Sequence, residues 1–305
     1  MKQIDYKGIY PAFCACYDDV GNISAPRAQA LARHLQAAGV QGLYVNGSTG
    51  ECVYLSVEER MQMLEAVMDA VGGTLPIIAH VACNNTRDSV RLAAHAGKLG
   101  VSAIAAIPPI YFKLPEYAIA DYWNAMSDAA PETDFMIYNI PQNAGVALTL
   151  PLLGTMLKNP RVKALKNSSP SVQDIRAFKD AGGGKLAVLN GPDEQYLAGR
   201  LMGADGGIGS TYNAMPALFL AIDRFLAAGQ ADKAQQVQQD IFHIIMMMLG
   251  GHGNLMAVIK ELLRRKGVNT GLVRAPLPNL IAADRERVDK CEEMIAAAEK
   301  KVHSL

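Results

Sequence analysis

The chain has 305 residues, half of them hydrophobic, which is enough for one large α/β domain or two average ones. Lysine plus arginine and aspartate plus glutamate both number 29, so the formal net charge is zero and no overall field favours nucleic acid or an anionic membrane surface. There is no apolar run of about 18 residues and no signal-peptide pattern, so we expect a cytoplasmic protein.

Short apolar segments recur along the chain and predict eight strands. They cover residues 9–13, 42–45, 76–81, 103–107, 135–140, 162–165, 186–189 and 206–208. Stretches with helical periodicity separate them, at residues 26–38, 57–71, 87–98, 117–129 and 172–181. Ser24 with Pro26 marks the start of the first of these helices, and Ser56 with Glu59 predicts a capping box at the start of the second.

Short strands that alternate with longer helices are typical of parallel βαβ units, because a parallel connection needs such a crossover. Eight units predict the α/β class and a closed (β/α)₈ TIM barrel rather than an open sheet. Beyond residue 209 the chain is helical, at residues 216–227, 231–249, 254–266 and 282–302. We predict a barrel over residues 1–228 that carries the active site, and a C-terminal helical extension over residues 229–305 that packs on it.

The five cysteines are odd in number and form no CxxC pair. This pattern argues against a disulfide framework and against a zinc knuckle. His80 ends the third predicted strand, but no second histidine or carboxylate lies at a metal-ligand spacing from it. We therefore predict a structural histidine and no metal site.

Lys166 follows the sixth predicted strand, where a charged amine meets the protein interior. Alternation places Val162, Ala164 and Lys166 on one face of the strand, and Lys163 and Leu165 on the other. Desolvation disfavours the ammonium form and favours the neutral amine, which attacks a carbonyl carbon. This is what a Schiff-base lysine requires. The alternative is a lysine whose amine reaches past the strand end into water.

Polar motifs follow other strands at the edge where barrel enzymes carry their catalytic groups. The loop 46–51, NGSTGE, offers Ser48, Thr49 and free amides to a carboxylate, although an ordinary tight turn is the alternative. Tyr138 could relay protons or be a structural tyrosine. Asp193 either caps the helix that follows it or binds a polyol. Glycines beside Ser210 permit close approach of a hydroxylated ligand.

Four motifs resemble the class I pyruvate aldolase family that contains N-acetylneuraminate lyase and dihydrodipicolinate synthase. They are GSTGE at 47–51, YNIP at 138–141, Lys166, and GADGGIGS at 203–210, in family order and spacing over nearly the whole chain. The resemblance implies that Lys166 forms a Schiff base with a 2-oxo acid, that Ser48 and Thr49 hold its carboxylate, and that Tyr138 transfers protons. It also implies that Tyr111 approaches this relay from a neighbouring subunit of a homotetramer.

Within the family, the chain is most similar to the sialate lyase branch. Dihydrodipicolinate synthases usually carry an arginine just after YNxP, and here Gln142 follows Pro141. By resemblance, the polyhydroxylated part of the sugar is bound by a set on three strand ends: Ser168, Gly191, Asp193, Glu194, Gly209 and Ser210. The chain departs from the branch pattern at Asn46, Ser168, Pro192 and His252, and these departures affect the expected sugar specificity rather than the Schiff-base chemistry.

The resemblance predicts cleavage of N-acetylneuraminate to pyruvate and N-acetylmannosamine, with Lys166, Tyr138, Ser48 and Tyr111 as catalytic residues. No metal or diffusible cofactor is predicted, because a protonated imine is itself the electron sink. The enzymatic alternatives are a 2-oxo-3-deoxy sugar acid aldolase or dehydratase and a dihydrodipicolinate synthase with another carboxylate anchor. A 2-oxo-acid sensor on the same barrel is the non-enzymatic alternative.

Overall fold

The computed structural model describes residues 5–305, and within them eight parallel strands form a nearly closed barrel. The strands are β1 (Gly8–Pro11), β2 (Leu43–Val45), β3 (Ile77–His80), β4 (Ala103–Ala106), β5 (Asp134–Asn139), β6 (Val162–Asn167), β7 (Ala187–Asn190) and β8 (Gly206–Gly209). Neighbours along the chain pair in parallel, β8 pairs with β1, and a bridge between Ala12 and Tyr44 connects β1 to β2. The predicted TIM barrel is confirmed.

Helices cover the outside of the barrel and continue beyond it. They are α1 (Ala25–Ala37), α2 (Val57–Val71), α3 (Thr86–Leu99), α4 (Glu116–Ala129), α5 (Pro141–Ala144), α6 (Leu150–Met156), α7 (Gln173–Ala181), α8 (Tyr196–Leu201), α9 (Pro216–Ala227), α10 (Ala231–Leu249), α11 (Leu255–Arg265) and α12 (Arg285–Ser304). The predicted capping box is present at α2, where Ser56 Oγ accepts from the Glu59 amide at 3.1 Å and Glu59 accepts from the Ser56 amide at 2.8 Å. Ser24 precedes α1 without a side-chain cap.

The predicted C-terminal extension consists of α10, α11 and α12. A 3₁₀ turn, Ala282–Asp284, precedes α12 where one continuous helix was predicted. The predicted boundary at residue 228 falls between α9 and α10, and the division into two units stays a prediction; residues 1–4 of the first unit lie outside the described residues. Of the helices in the described part of the chain, none combines the length and the apolar character needed to cross a bilayer.

Two apolar clusters form the core, one between the strands and the helices and one inside the barrel. Side chains that alternate along the strands fill the interior, and among them are Tyr10, Tyr44, Ile78, Met136, Tyr138, Ala164, Leu189 and Ile208. The barrel is therefore a packed core rather than a pore, and its polar groups concentrate at the carboxyl ends of the strands.

A β-bulge interrupts the pairing of β5 with β6. Phe135 pairs with Val162 and the next residue, Met136, pairs with Ala164, so Lys163 is an extra residue on β6. Val162 consequently packs in the outer cluster, whereas Ala164 lies inside the barrel. The expectation that Val162 shares a face with Ala164 and Lys166 was wrong, because simple alternation does not hold across a bulge.

Candidate active site

Lys166 lies one residue before the end of β6, with a side chain that points into the barrel. The residue is 5% exposed and pairs with Tyr138 on β5. Its Nζ atom lies 4.2 Å from the ring centre of Tyr138 and 4.5 Å from that of Tyr44, and the two rings meet edge to face. Aromatic faces stabilise a cation, so the same pocket suits the ammonium ion and a protonated imine. The alternative of an amine reaching into water is wrong.

Tyr44 is the residue of this pocket that the sequence reasoning missed. It lies on β2, is fully buried, and its hydroxyl has no hydrogen-bond partner in the described chain. Burial raises the pKa of Tyr44 well above the ordinary phenol value. In the sequence, a tyrosine within an apolar strand cannot be distinguished from a core residue. Only the closure of the barrel brings its ring against Lys166.

The loop after β2 brings Thr49 against the loop after β8. Thr49 is buried, and its Oγ1 lies 2.6 Å from Oγ of Ser210. Ser48 is exposed, and no hydrogen bond within residues 5–305 engages the amides of Ser48 and Thr49. Thr49, predicted to bind the carboxylate, and Ser210, predicted to bind the sugar, therefore meet at one edge of the mouth, beside two amides that make no hydrogen bond within residues 5–305.

Two residues with left-handed backbone give this loop its shape. Asn46 has φ 63° and Glu51 has φ 54°, and asparagine tolerates this conformation better than most residues. Glu51 is buried, and its carboxylate accepts from Lys260 Nζ at 2.7 Å, from the Arg274 amide at 2.8 Å and from the Tyr17 hydroxyl at 3.1 Å. Residues of the C-terminal part of the chain thus anchor loop 46–51, the loop predicted to bind a carboxylate.

Tyr138 is buried, and no hydrogen bond engages its hydroxyl in the part of the chain that the structure describes. The structural-tyrosine alternative, which requires such a bond, is not supported. Tyr111 lies after β4 with φ 84°, is 89% exposed, and packs its ring on Phe112. The structure places Tyr111 on the surface of this chain rather than among the groups around Lys166.

Asp193 follows β7 and is held by the loop after β8. Its Oδ2 accepts from the amide of Thr211 at 2.7 Å and from its hydroxyl at 2.6 Å. It makes no cap contact with α8, so the helix-cap alternative is wrong. A Cβ atom at Gly209 would lie 1.9 Å from Asp193 Oδ1, and only glycine fits there.

The remaining predicted sugar-binding residues divide into two groups. Ser168 is buried beside Gly191, where a Cβ atom would lie 1.9 Å from the Ser168 hydroxyl oxygen, so these two positions are in close contact. Glu194 is exposed, and its carboxylate makes no hydrogen bond within the described residues. The His252 side chain is 71% exposed, with Nδ1 3.5 Å from Asp284. The structure therefore brings Ser168 and Gly191 together and leaves Glu194 and His252 at the surface.

The buried Asp193 carboxyl predicts a measurable pH dependence of stability. Burial raises the pKa of Asp193 to about 6, although the two Thr211 donors oppose the shift. Because the folded state binds this proton more tightly than the unfolded state, the stability contributed by the protonated form is lost as the pH rises from about 4 to about 6. Relative to Asp193→Asn, the free energy of unfolding of the unsubstituted protein should fall by about 3 kcal/mol over that range and stay constant above it. Urea unfolding of both proteins measures this, and parallel pH curves would contradict it.

Comparison with known proteins shows similarity over nearly the whole chain. Residues 5–297 match the model of the dihydrodipicolinate synthetase family. An N-acetylneuraminate lyase of Mediterraneibacter gnavus is 56% identical over 303 residues, which are 99% of this chain and 96% of that protein. The wild-type Ruminococcus gnavus sialic acid aldolase has a TM-score of 0.96 at 56% identity, covering 97% of this chain and 99% of its own. CdNal of Clostridium difficile, in complex with mannosamine, has a TM-score of 0.88 at 29% identity, and the match covers 98% of this chain and 100% of CdNal.

Proposed function

Because the chain belongs to the dihydrodipicolinate synthetase family, we propose that it is a carbon–carbon lyase that cleaves N-acetylneuraminate to pyruvate and N-acetylmannosamine through a Schiff base. The identity to the M. gnavus lyase extends over nearly the full length of both proteins, and the similarity to the R. gnavus aldolase extends to the whole fold. The structural observation that carries the proposal is the amine of Lys166, buried between two tyrosine rings at the mouth of the barrel.

The proposed reaction starts with the neutral amine of Lys166. It adds to the C2 ketone of the open-chain sugar acid, and loss of water gives a protonated imine. The C4 hydroxyl then loses its proton while the C3–C4 bond breaks, and the bonding electrons pass into the imine to form an enamine. N-acetylmannosamine leaves as the aldehyde. Protonation of the enamine at C3 and hydrolysis of the imine release pyruvate and restore Lys166.

The other proposed roles come from the family resemblance and agree with the positions of the side chains. Ser48 and Thr49 hold the carboxylate of the 2-oxo acid, and Tyr138 beside Lys166 takes the C4 proton and returns one to C3. Ser168, Gly191, Asp193, Gly209 and Ser210 line the side of the mouth where the hydroxyl-rich part of the sugar lies. Asp193 and Ser210 contact the loops after β8 and β2, respectively, which supports a continuous binding surface.

Tyr138→Phe should lower kcat for N-acetylneuraminate by about 10²–10⁴-fold, the usual contribution of a general acid or base. The ring remains beside Lys166 while the proton-transferring hydroxyl is lost, so imine formation with pyruvate should persist. Steady-state kinetics and reductive trapping measure the two effects separately. A Phe variant with unchanged kcat would contradict the role, and Tyr122→Phe, a buried tyrosine on α4, is the matched control.

A substrate panel tests the reaction itself. The protein should release pyruvate from N-acetylneuraminate, and neither release it from 2-oxo-3-deoxygluconate nor condense pyruvate with aspartate semialdehyde at a comparable rate. Gln142 carries no positive charge, so the site lacks the cation that would bind the carboxylate of a second substrate such as aspartate semialdehyde. Pyruvate release from 2-oxo-3-deoxygluconate alone would favour the sugar acid alternative, and no turnover of any substrate would favour the sensor.

Assembly into a homotetramer is part of the proposal. Tyr111 is 89% exposed and Phe112 is 71% exposed, and together they form an apolar surface on the loop between β4 and α4. A positive φ at Tyr111 is strained for a tyrosine and persists where the surroundings enforce it. A neighbouring subunit that receives this ring beside its own Tyr138 would supply such surroundings and would complete the proton relay.

A further inference from the structure

Arg60 on α2 is a buried cation without a carboxylate partner in the part of the chain that the structure describes. It is 2% exposed, and its guanidinium donates to the carbonyls of His80 at 2.6 Å and Ala82 at 2.8 Å and to Cys83 Sγ at 3.2 Å. Its Nε has no partner there. Burying a guanidinium without an anion is unfavourable, and carbonyl dipoles compensate only part of the charge.

The acidic groups of the neighbouring elements are already engaged. Glu51 is bound to Lys260, and Asp193 is bound to Thr211. On α2, Glu58 forms an ion pair with Arg91, and Glu59 forms one with Arg274. On α3, Asp88 accepts a hydrogen bond from Asn85 and lies near two arginines, Arg87 and Arg91. Within residues 5–305 the charge of Arg60 therefore lacks a counter-ion supplied by the protein.

Arg60 is connected to the start of loop 46–51 by its backbone and through His80. Its carbonyl accepts from Asn46 Nδ2 at 2.8 Å, and Asn46 is the left-handed residue at which the loop begins. His80, which Arg60 contacts, pairs through Nδ1 with the Asn46 carbonyl at 3.0 Å. The backbone of Arg60 thus holds the start of the loop, whereas its guanidinium is bonded to the end of β3 and reaches the loop through His80.

The field of Arg60 extends to the groups that border the loop. Burial raises the pKa of Tyr44 and of Cys52, and the nearby charge of Arg60 opposes both shifts. Tyr44 contacts Lys166, and Cys52 follows Glu51 directly. His80 is neutral, because burial, followed by the charge of Arg60, holds its pKa well below the ordinary value. The loop itself contributes hydroxyls and amides, which are neutral donors.

We propose that Arg60 is a specificity-determining positioning residue whose charge is balanced by the carboxylate of the 2-oxo acid bound at Ser48 and Thr49. It acts on the substrate through the loop and through the low-dielectric space between them, without touching it. The proposal rests on the proposed function, because it requires that Lys166 capture a ketone that carries a carboxylate.

The test compares two ketones that differ in charge. Pyruvate and acetone both condense with the Lys166 amine, lose water, and are fixed when cyanoborohydride delivers hydride to the imine carbon, but only pyruvate has a carboxylate. The ketone concentration that gives half-maximal labelling is measured by intact mass for the unsubstituted protein, Arg60→Gln and Arg60→Lys. Glutamine retains a donor without charge, and lysine retains the charge with fewer donors.

In Arg60→Gln the pyruvate concentration that gives half-maximal labelling should rise about tenfold, which is the effect of one charge acting across a partly desolvated gap. The acetone concentration that gives half-maximal labelling should change less than about twofold. In Arg60→Lys the pyruvate concentration that gives half-maximal labelling should stay within about threefold of the value for the unsubstituted protein. Equal losses for both ketones would overturn the proposal in favour of a structural role. Unchanged pyruvate labelling in Arg60→Gln would also overturn it, as would a lysine variant as weak as the glutamine variant.

Two controls keep the outcomes separate. If the unsubstituted protein is not labelled by pyruvate at Lys166, the Schiff-base function fails, whatever the variants do. If it is labelled and the variants lose no selectivity for pyruvate over acetone, only the role of Arg60 fails. Should Arg60→Gln not fold, as judged by circular dichroism, Arg60→Lys alone decides: loss of its preference for pyruvate over acetone overturns the proposal.

Discussion

Replacing Lys166 with alanine is expected to lower pyruvate release from N-acetylneuraminate by about 10⁴-fold or more. The amine nitrogen is the atom that bonds to the substrate, and neither Tyr44 nor Tyr138 can replace it in forming the protonated imine that accepts the electrons. Reduction in the presence of pyruvate should add about 72 Da to the peptide that contains Lys166, and nothing in the variant. Turnover assays and peptide mass spectrometry give the two measurements.

Lys163→Ala is the matched control for this substitution. Lys163 lies on the same strand, three residues earlier, and its side chain is exposed at the other end of the barrel. This variant should retain turnover and labelling. Residual activity above about one tenth in Lys166→Ala, or labelling of a different lysine, would contradict the assignment of Lys166 as the Schiff-base residue.

Lys260→Met is expected to lower the free energy of unfolding by about 3–5 kcal/mol, because it leaves the carboxylate of Glu51 buried without its cation. The side chains of the pair are 2% and 0% exposed, and their atoms lie 2.7 Å apart. The same substitution should raise KM for N-acetylneuraminate, since Glu51 ends the carboxylate-binding loop. Equilibrium urea unfolding and steady-state kinetics measure these effects.

A double variant separates the buried charge from the contact. Adding Glu51→Gln to Lys260→Met removes the remaining charge and should recover a large part of the lost stability, as found when both members of a buried pair become neutral. Lys290→Met, which breaks an exposed pair with Glu293, should change stability by less than about 0.5 kcal/mol. Equal destabilisation by the single and double variants would show that packing, rather than charge, is responsible.

The local signals in the sequence were strong enough to predict the barrel and to select candidate site residues at its strand ends. The eight apolar segments lie within one or two residues of the strands, and the bounds of α2 were predicted correctly because Ser56 and Glu59 cap it. Lys166 and Tyr138 were selected because each lies near the carboxyl end of a strand, and Thr49 because it lies in the loop after one. A parallel barrel brings such positions to one edge. The helices α5, α6 and α8 were missed because they have four to seven residues, too few to establish a helical period.

The support around the site could not be predicted from local patterns. Lys260 is separated from Glu51 by 209 residues, and Ser210 from Thr49 by 161, so no window of sequence contains either pair. Arg60 belongs to a helix whose charged residues suggest a solvated face, and its burial depends on the packing of α2 over β3. Tertiary packing, rather than local propensity, decides the environment of these residues.

The bulge at Lys163 has a consequence for the direction of Lys166 on β6. If all residues of β6 paired without a bulge, alignment of Phe135 with Val162 would place Lys166 opposite Asn139, and the amine would face the outer helices instead of the barrel. The bulge absorbs one residue, so the amine faces inward although Val162 faces outward. A deletion of Lys163 would remove the bulge and keep Lys166 paired with Tyr138, whereas straightening the strand with Lys163 retained would turn the amine out of the site.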